Sequence, residues 1–64
     1  MKNLRERTFA ALNRAKDNGY DLSEDDPALV AADLLGCSDE FENLSEDEAT
    51  ELQDHIIEWQ GSFR

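Results

Sequence analysis

Cys37 has no second cysteine to pair with, so no internal disulfide can staple this chain, which fits a reducing compartment. Long apolar runs are also missing. The longest, Ala28 to Leu35, is broken by Asp33 and is far shorter than the roughly 20 residues that cross a bilayer. Strand formers are scarce: the β-branched residues are Thr8, Val30, Thr50, Ile56 and Ile57, and nothing alternates with a period of two. No apolar stretch follows Lys2, so a secretory signal is not expected and a cytoplasmic location is.

Cations are the most telling shortage. Six Lys and Arg stand against sixteen Asp and Glu, a formal net charge of −10. The imbalance is segregated. Residues 1–18 hold Lys2, Arg5, Arg7, Arg14 and Lys16 against Glu6 and Asp17, a balance of +3. From Gly19 onward Arg64 is the only cation against fourteen acids, a balance of −13. A direct nucleic-acid binder carries a basic footprint, and an anionic membrane attracts cations. Neither is an expected partner. A charge this large opposes compaction by self-repulsion and exceeds the magnitude of roughly 2–8 that keeps a small domain soluble. A disordered acidic tail does not account for it, because the acidic part carries most of the large apolar residues.

Sixty-four residues make one domain, 1–64, with a core drawn from Leu4, Phe9, Leu12, Tyr20, Leu29, Val30, Leu34, Leu35, Phe41, Leu44, Leu52, Ile56, Ile57 and Trp59. The expected fold class is all-α: a small bundle of three long or medium helices plus one short helix or 3₁₀ turn.

The first helix is expected over about 3–18, where Leu4, Thr8, Ala11, Leu12 and Ala15 recur at helical spacing with Phe9 alongside. Asn18-Gly19 is its stop, with Tyr20 folding back as the apolar contact. Arg14 and Lys16 suit the negative end of the helix dipole. The second helix, about 27–35, starts at Asp26-Pro27 and stops at Gly36. Its apolar residues cover nearly the whole circumference, which places it at the centre of the fold. Ser38 caps a short helix or 3₁₀ turn over 39–43 with Phe41 turned inward. The last helix, about 46–60, carries the clearest signal: Ser45-Glu46-Asp47-Glu48 is a capping box, with Leu44 and Ala49 as its staple. Ala49, Leu52, Ile56 and Trp59 form its core stripe, Gly61 ends it, and Phe63 folds back over the end.

No catalytic constellation is apparent, and an enzyme is not expected. A nucleophile needs a base and an orienting group, but the chain offers one His and one Cys and no Ser or Thr in a recognisable motif. Cys37 reads as a small apolar filler. His55 reads as a boundary residue bonded to water or to Glu51 one turn back. Asp21, Ser23 and Asp25 alternate as a Ca²⁺ loop does, but Asp26 stands where that loop needs Gly and Ala32 where it needs Glu. No metal or cofactor is expected. Acyl carrier proteins are also small, acidic and helical, but their Asp-Ser-Leu attachment triplet is nowhere in this sequence.

The informative constellation is on the last helix. At 100° per residue, Asp47, Glu51, Asp54 and Glu58 fall within about 60° of one another, pointing away from Leu52, Ile56 and Trp59. They extend over about 16 Å with gaps of about 4.5–6 Å, a sparser row than the phosphates of one DNA strand at ~3.4 Å but similar in kind. Asp39, Glu40 and Glu42, with the run Glu24-Asp25-Asp26, can thicken it into a patch. Most charged helix faces are merely solvated. This one, however, has no Lys or Arg from Ser45 to Gln60, and like charges one turn apart cost a few tenths of a kcal/mol per pair.

With these residues the chain resembles the small acidic inhibitors of phages and mobile elements, the anti-CRISPR and anti-restriction proteins, and most of all the short helical anti-CRISPR proteins acting on type I surveillance complexes. The resemblance covers the whole chain through size, the acidic Asp39–Glu58 region and helical make-up. It implies a nucleic-acid mimic that blocks a basic nucleic-acid-binding surface of a bacterial immune complex, in the host cytoplasm if the chain is phage-encoded. Asp47, Glu51, Asp54 and Glu58 would supply the field, with Asp39, Glu40 and Glu42 as flank. The basic first helix departs from a uniformly acidic mimic and leaves room for a mixed-charge interface. The alternative is a structural or regulatory interaction module docking through apolar residues such as Trp59, Ile57 and Phe63. Ile57 lies about 80° or more off the core stripe and either faces solvent or meets the first helix.

Overall fold

A computed structural model describes residues 3–37, 41 and 43–63. Three α-helices follow one another: α1 Leu4–Asp17, α2 Pro27–Cys37 and α3 Glu46–Gly61. The all-α bundle read from the sequence is the fold. The proposed short helix over 39–43 lies largely outside the described residues, although Phe41 is in a 3₁₀ conformation and fully buried, as its expected inward turn requires.

α1 buries Leu4, Thr8 and Leu12, one residue per turn. The buried Thr8 hydroxyl donates to the Leu4 carbonyl at 2.7 Å, so the stripe holds no unmet polar group there. The helix begins where the Asn3 side chain accepts the Glu6 amide at 2.8 Å. It ends in a Schellman motif. The Tyr20 amide reaches back to the Ala15 carbonyl at 2.8 Å and the Gly19 amide to that of Lys16 at 3.1 Å. Gly19 takes the left-handed φ of +95° that this reversal demands. The expected fold-back of Tyr20 does not occur: its side chain is 70% exposed, and the backbone bonds alone close the helix.

α2 begins where the Asp26 carboxylate accepts the Ala28 amide at 3.0 Å, as read from the Asp-Pro pair. It differs from expectation at its other end and in its position. It runs through Gly36 to Cys37. Gly36 has no positive φ, and a glycine stops a helix by adopting the left-handed region, not by its presence. Nor is α2 central. Val30 and Ala31 are buried, but Leu29 is 65% exposed and Leu35 faces solvent in part.

The central element is α3. Both α1 and α2 pack on it and touch each other only marginally. Its start is the expected capping box: the Glu48 amide donates to the Ser45 hydroxyl at 3.2 Å, and the Ser45 amide to the Glu48 carboxylate at 3.3 Å. Leu52, Ile56 and Trp59 are buried on its inner face, joined by Gln60. The helix includes Gly61 and is capped at Ser62, one residue past the expected stop. Phe63 does fold back, edge-on to Trp59 with ring centroids 4.7 Å apart. The core is Leu4, Leu12, Val30, Ala31, Phe41, Leu52, Ile56 and Trp59, with Phe9, Ala11, Leu22, Leu34 and Leu44 packed against it. Its Cα radius of gyration, 10.7 Å, is that of a folded chain of this length.

Candidate functional site: the carboxylate face of α3

The outer face of α3 is built by its inner one. Leu52, Ile56 and Trp59 hold the helix on α1 and α2, and the 100° step then turns Asp47, Glu51, Asp54 and Glu58 outward. All four are exposed. The first turn adds Glu46 and Glu48, where carboxylates offset the positive end of the helix dipole.

The four carboxylates are not equivalent, because the row has one flank toward α1. Glu58 lies on that flank. The Arg5 guanidinium meets it as a fork, Nη2 donating to Oε1 at 2.7 Å and Nε to both oxygens at 3.2 Å. Phe9 supports the same guanidinium from its ring face, 4.5 Å from the centroid. The hydrogen bond from Arg5 holds the Glu58 carboxyl below the usual glutamate range, and Glu58 in turn raises Arg5. One of the four charges expected to project a field is therefore compensated by the basic first helix. Sequence periodicity places Glu58 in the row but does not see a partner 53 residues away.

Glu51 is the second exception. Its Oε2 lies 3.0 Å from His55 Nε2, and His55 Nδ1 lies 3.9 Å from Glu58 Oε2. The imidazole thus lies between two members of the row, within hydrogen-bond distance of Glu51 and farther from Glu58. This is the boundary role expected of His55. Asp47 and Asp54 remain: among the described residues no cation pairs with either. The sequence-predicted flank of Asp39, Glu40 and Glu42 lies outside the described residues. Glu24, Asp25 and Asp26 are exposed at the start of α2, where Asp26 serves as its cap.

Other candidates resolve into structural roles. Asp21 accepts the Ser23 amide at 3.0 Å, and bonds from the Ser23 hydroxyl and amide hold its carboxyl below the usual range. The alternating segment is thus an Asx turn. Among the described residues no three His, Cys, Asp or Glu side chains converge to hold a metal ion, and no pocket forms. Of the apolar docking candidates, Trp59 is withdrawn: it is buried and its indole N–H donates to Asn13 Oδ1 at 2.9 Å. Ile57 is not a core residue and is 51% exposed.

Sequence reasoning passed over Gln60, which is buried and donates both protons of Nε2, to the carbonyls of Leu22 at 2.9 Å and Asp25 at 2.7 Å. Its one signal is its place next to the Trp59 position of the apolar stripe. Comparison with protein-family models, with curated proteins and with solved structures finds no match for this chain.

Proposed function

We propose that this chain is a small acidic inhibitor that binds a basic nucleic-acid-binding surface of a bacterial immune complex and blocks it by mimicry, as the resemblance to anti-CRISPR proteins implies. The observation that carries this reading is the pair Asp47 and Asp54. They are exposed on one face of a rigid, capped helix with no cation against them among the described residues. Glu51 extends that pair. Glu58 marks its edge, held by Arg5. A preorganised row of one sign steers a protein toward an oppositely charged groove, with an association rate that falls as salt rises.

The test is binding to a purified type I surveillance complex and protection of its DNA-binding surface. Glu51→Lys with Asp54→Lys should weaken binding by more than about tenfold, well over 1.4 kcal/mol, while both positions, being exposed, leave the fold intact by circular dichroism. Unchanged inhibition by the double variant overturns the reading. The exposed Ile57 favours a second reading, a module that docks through apolar contacts. Salt separates the two: a mimic loses affinity steeply between low and moderate ionic strength, and an apolar dock does not.

A further inference from the structure

α2 presents an apolar outer face that nothing among the described residues covers. At 100° per residue, Val30 and Ala31 point inward, as their burial shows, and Ala28, Leu29, Ala32, Leu35 and Gly36 point out, all exposed. Three of these are small and recur every fourth residue, Ala28, Ala32 and Gly36, so the surface between Leu29 and Leu35 is shallow. Gly36 has no left-handed turn or close contact to explain it among the described residues. It sits within the helix, its φ is not positive, and a Cβ there would meet nothing within 4 Å among the described residues. A helix surface with no side chain at that point permits the close approach of another backbone.

The charges around this face identify what fits it. Glu24, Asp25 and Asp26 stand exposed at its amino end and Asp33 along its flank. No Lys or Arg occurs from Gly19 to Phe63. A second copy would bring like-charged rims together, each chain carrying −10. The complementary occupant has an apolar stripe bordered by cations.

We infer that the outer face of α2 is a docking site for a basic amphipathic helix of a partner protein, whose apolar stripe lies along Ala28, Ala32 and Gly36 between Leu29 and Leu35. The site deepens the inhibitor reading, because a protein with a basic surface is the partner in both. It gives that partner an apolar anchor on a different helix from the carboxylate row. Exposed apolar area supplies affinity and the acidic rim supplies orientation and selection against self-association.

A designed helical peptide with a Leu and Ala stripe flanked by Lys is the probe. A second peptide of equal charge, with the stripe replaced by Gln, is the control. Titration of the isotopically labelled protein at 0.15 M salt should shift the amides of Ala28, Leu29, Ala32, Leu35 and Gly36 with the first peptide and not with the control. Leu29→Lys with Ala32→Lys should weaken that binding at least about tenfold with an unchanged far-ultraviolet spectrum. Gly36→Leu, which adds bulk without charge, should weaken it as well. Equal shifts from both peptides, shifts confined to Asp47–Glu58, or concentration-dependent shifts of α2 without peptide would each overturn the proposal. The last would assign the face to a second copy. Glu51→Lys with Asp54→Lys keeps the outcomes distinct. If the α2 shifts survive in that variant while inhibition is also unchanged, the carboxylate-row reading fails and the docking site stands.

Discussion

The two sides of α3 are held by different chemistry. On the α1 side the contacts cross a charge boundary: Arg5 grips Glu58, Asn13 accepts the Trp59 indole, and Lys16 lies 3.8 Å from the centroid of the Phe63 ring. On the α2 side no ion pair joins the helices among the described residues. The attachment rests on apolar burial of Val30 and Ala31 and on the Gln60 amide bonded to the segment before α2. The segregated charge of the sequence thus becomes pairing on one seam and, among the described residues, an unpaired surplus away from it.

The largest test removes what both seams share. Leu52→Ala should destabilise the fold by roughly 2–5 kcal/mol, because Leu52 is fully buried where the helices converge; denaturant unfolding reads it. Gln60→Leu should act on one seam. Leaving the Leu22 and Asp25 carbonyls without their donor should cost roughly 1–3 kcal/mol, with hydrogen exchange accelerated in α2 and unchanged at the Trp59 indole. Ser45→Ala touches neither seam directly. It removes the cap of α3 and should cost about 0.5–2 kcal/mol, seen as faster exchange of the Glu48 amide. The smallest effect concerns the charged seam. The Glu58 carboxyl titrates below its unfolded value because of Arg5. The pair therefore contributes stability above the ordinary glutamate value, about 4.3, and loses it as pH falls through the lower folded value. Arg5→Gln should return the Glu58 titration, followed by carbon-detected NMR, upward to the ordinary range. An unmoved midpoint would show that the two seams do not differ as described.

What was legible in the sequence was local. The Ser45–Glu48 box and the Asn18-Gly19 reversal each lie within a few residues, and their bonds form as read. The row Asp47, Glu51, Asp54 and Glu58 follows from helix geometry and is exposed as a unit. What failed depended on neighbours. An apolar circumference implies burial only where other elements can surround the helix, and three helices give α2 one strong neighbour, leaving Leu29 in solvent. The glycines at 36 and 61 resemble Gly19 in sequence, yet only the latter uses the left-handed region. The compensation of Glu58 by Arg5 required knowing that α1 lies beside α3, which no periodicity states.

Gln60 has one more consequence, for how the molecule ages. Both of its amide protons are engaged by carbonyls, so hydrolysis of that amide would replace a double donor with an anion facing two oxygen atoms. A single atom exchanged, with almost no change of shape, would turn the tie between α3 and the α2 segment into a repulsion. The helix with no ionic grip among the described residues would then come loose first, with the first and last helices still joined.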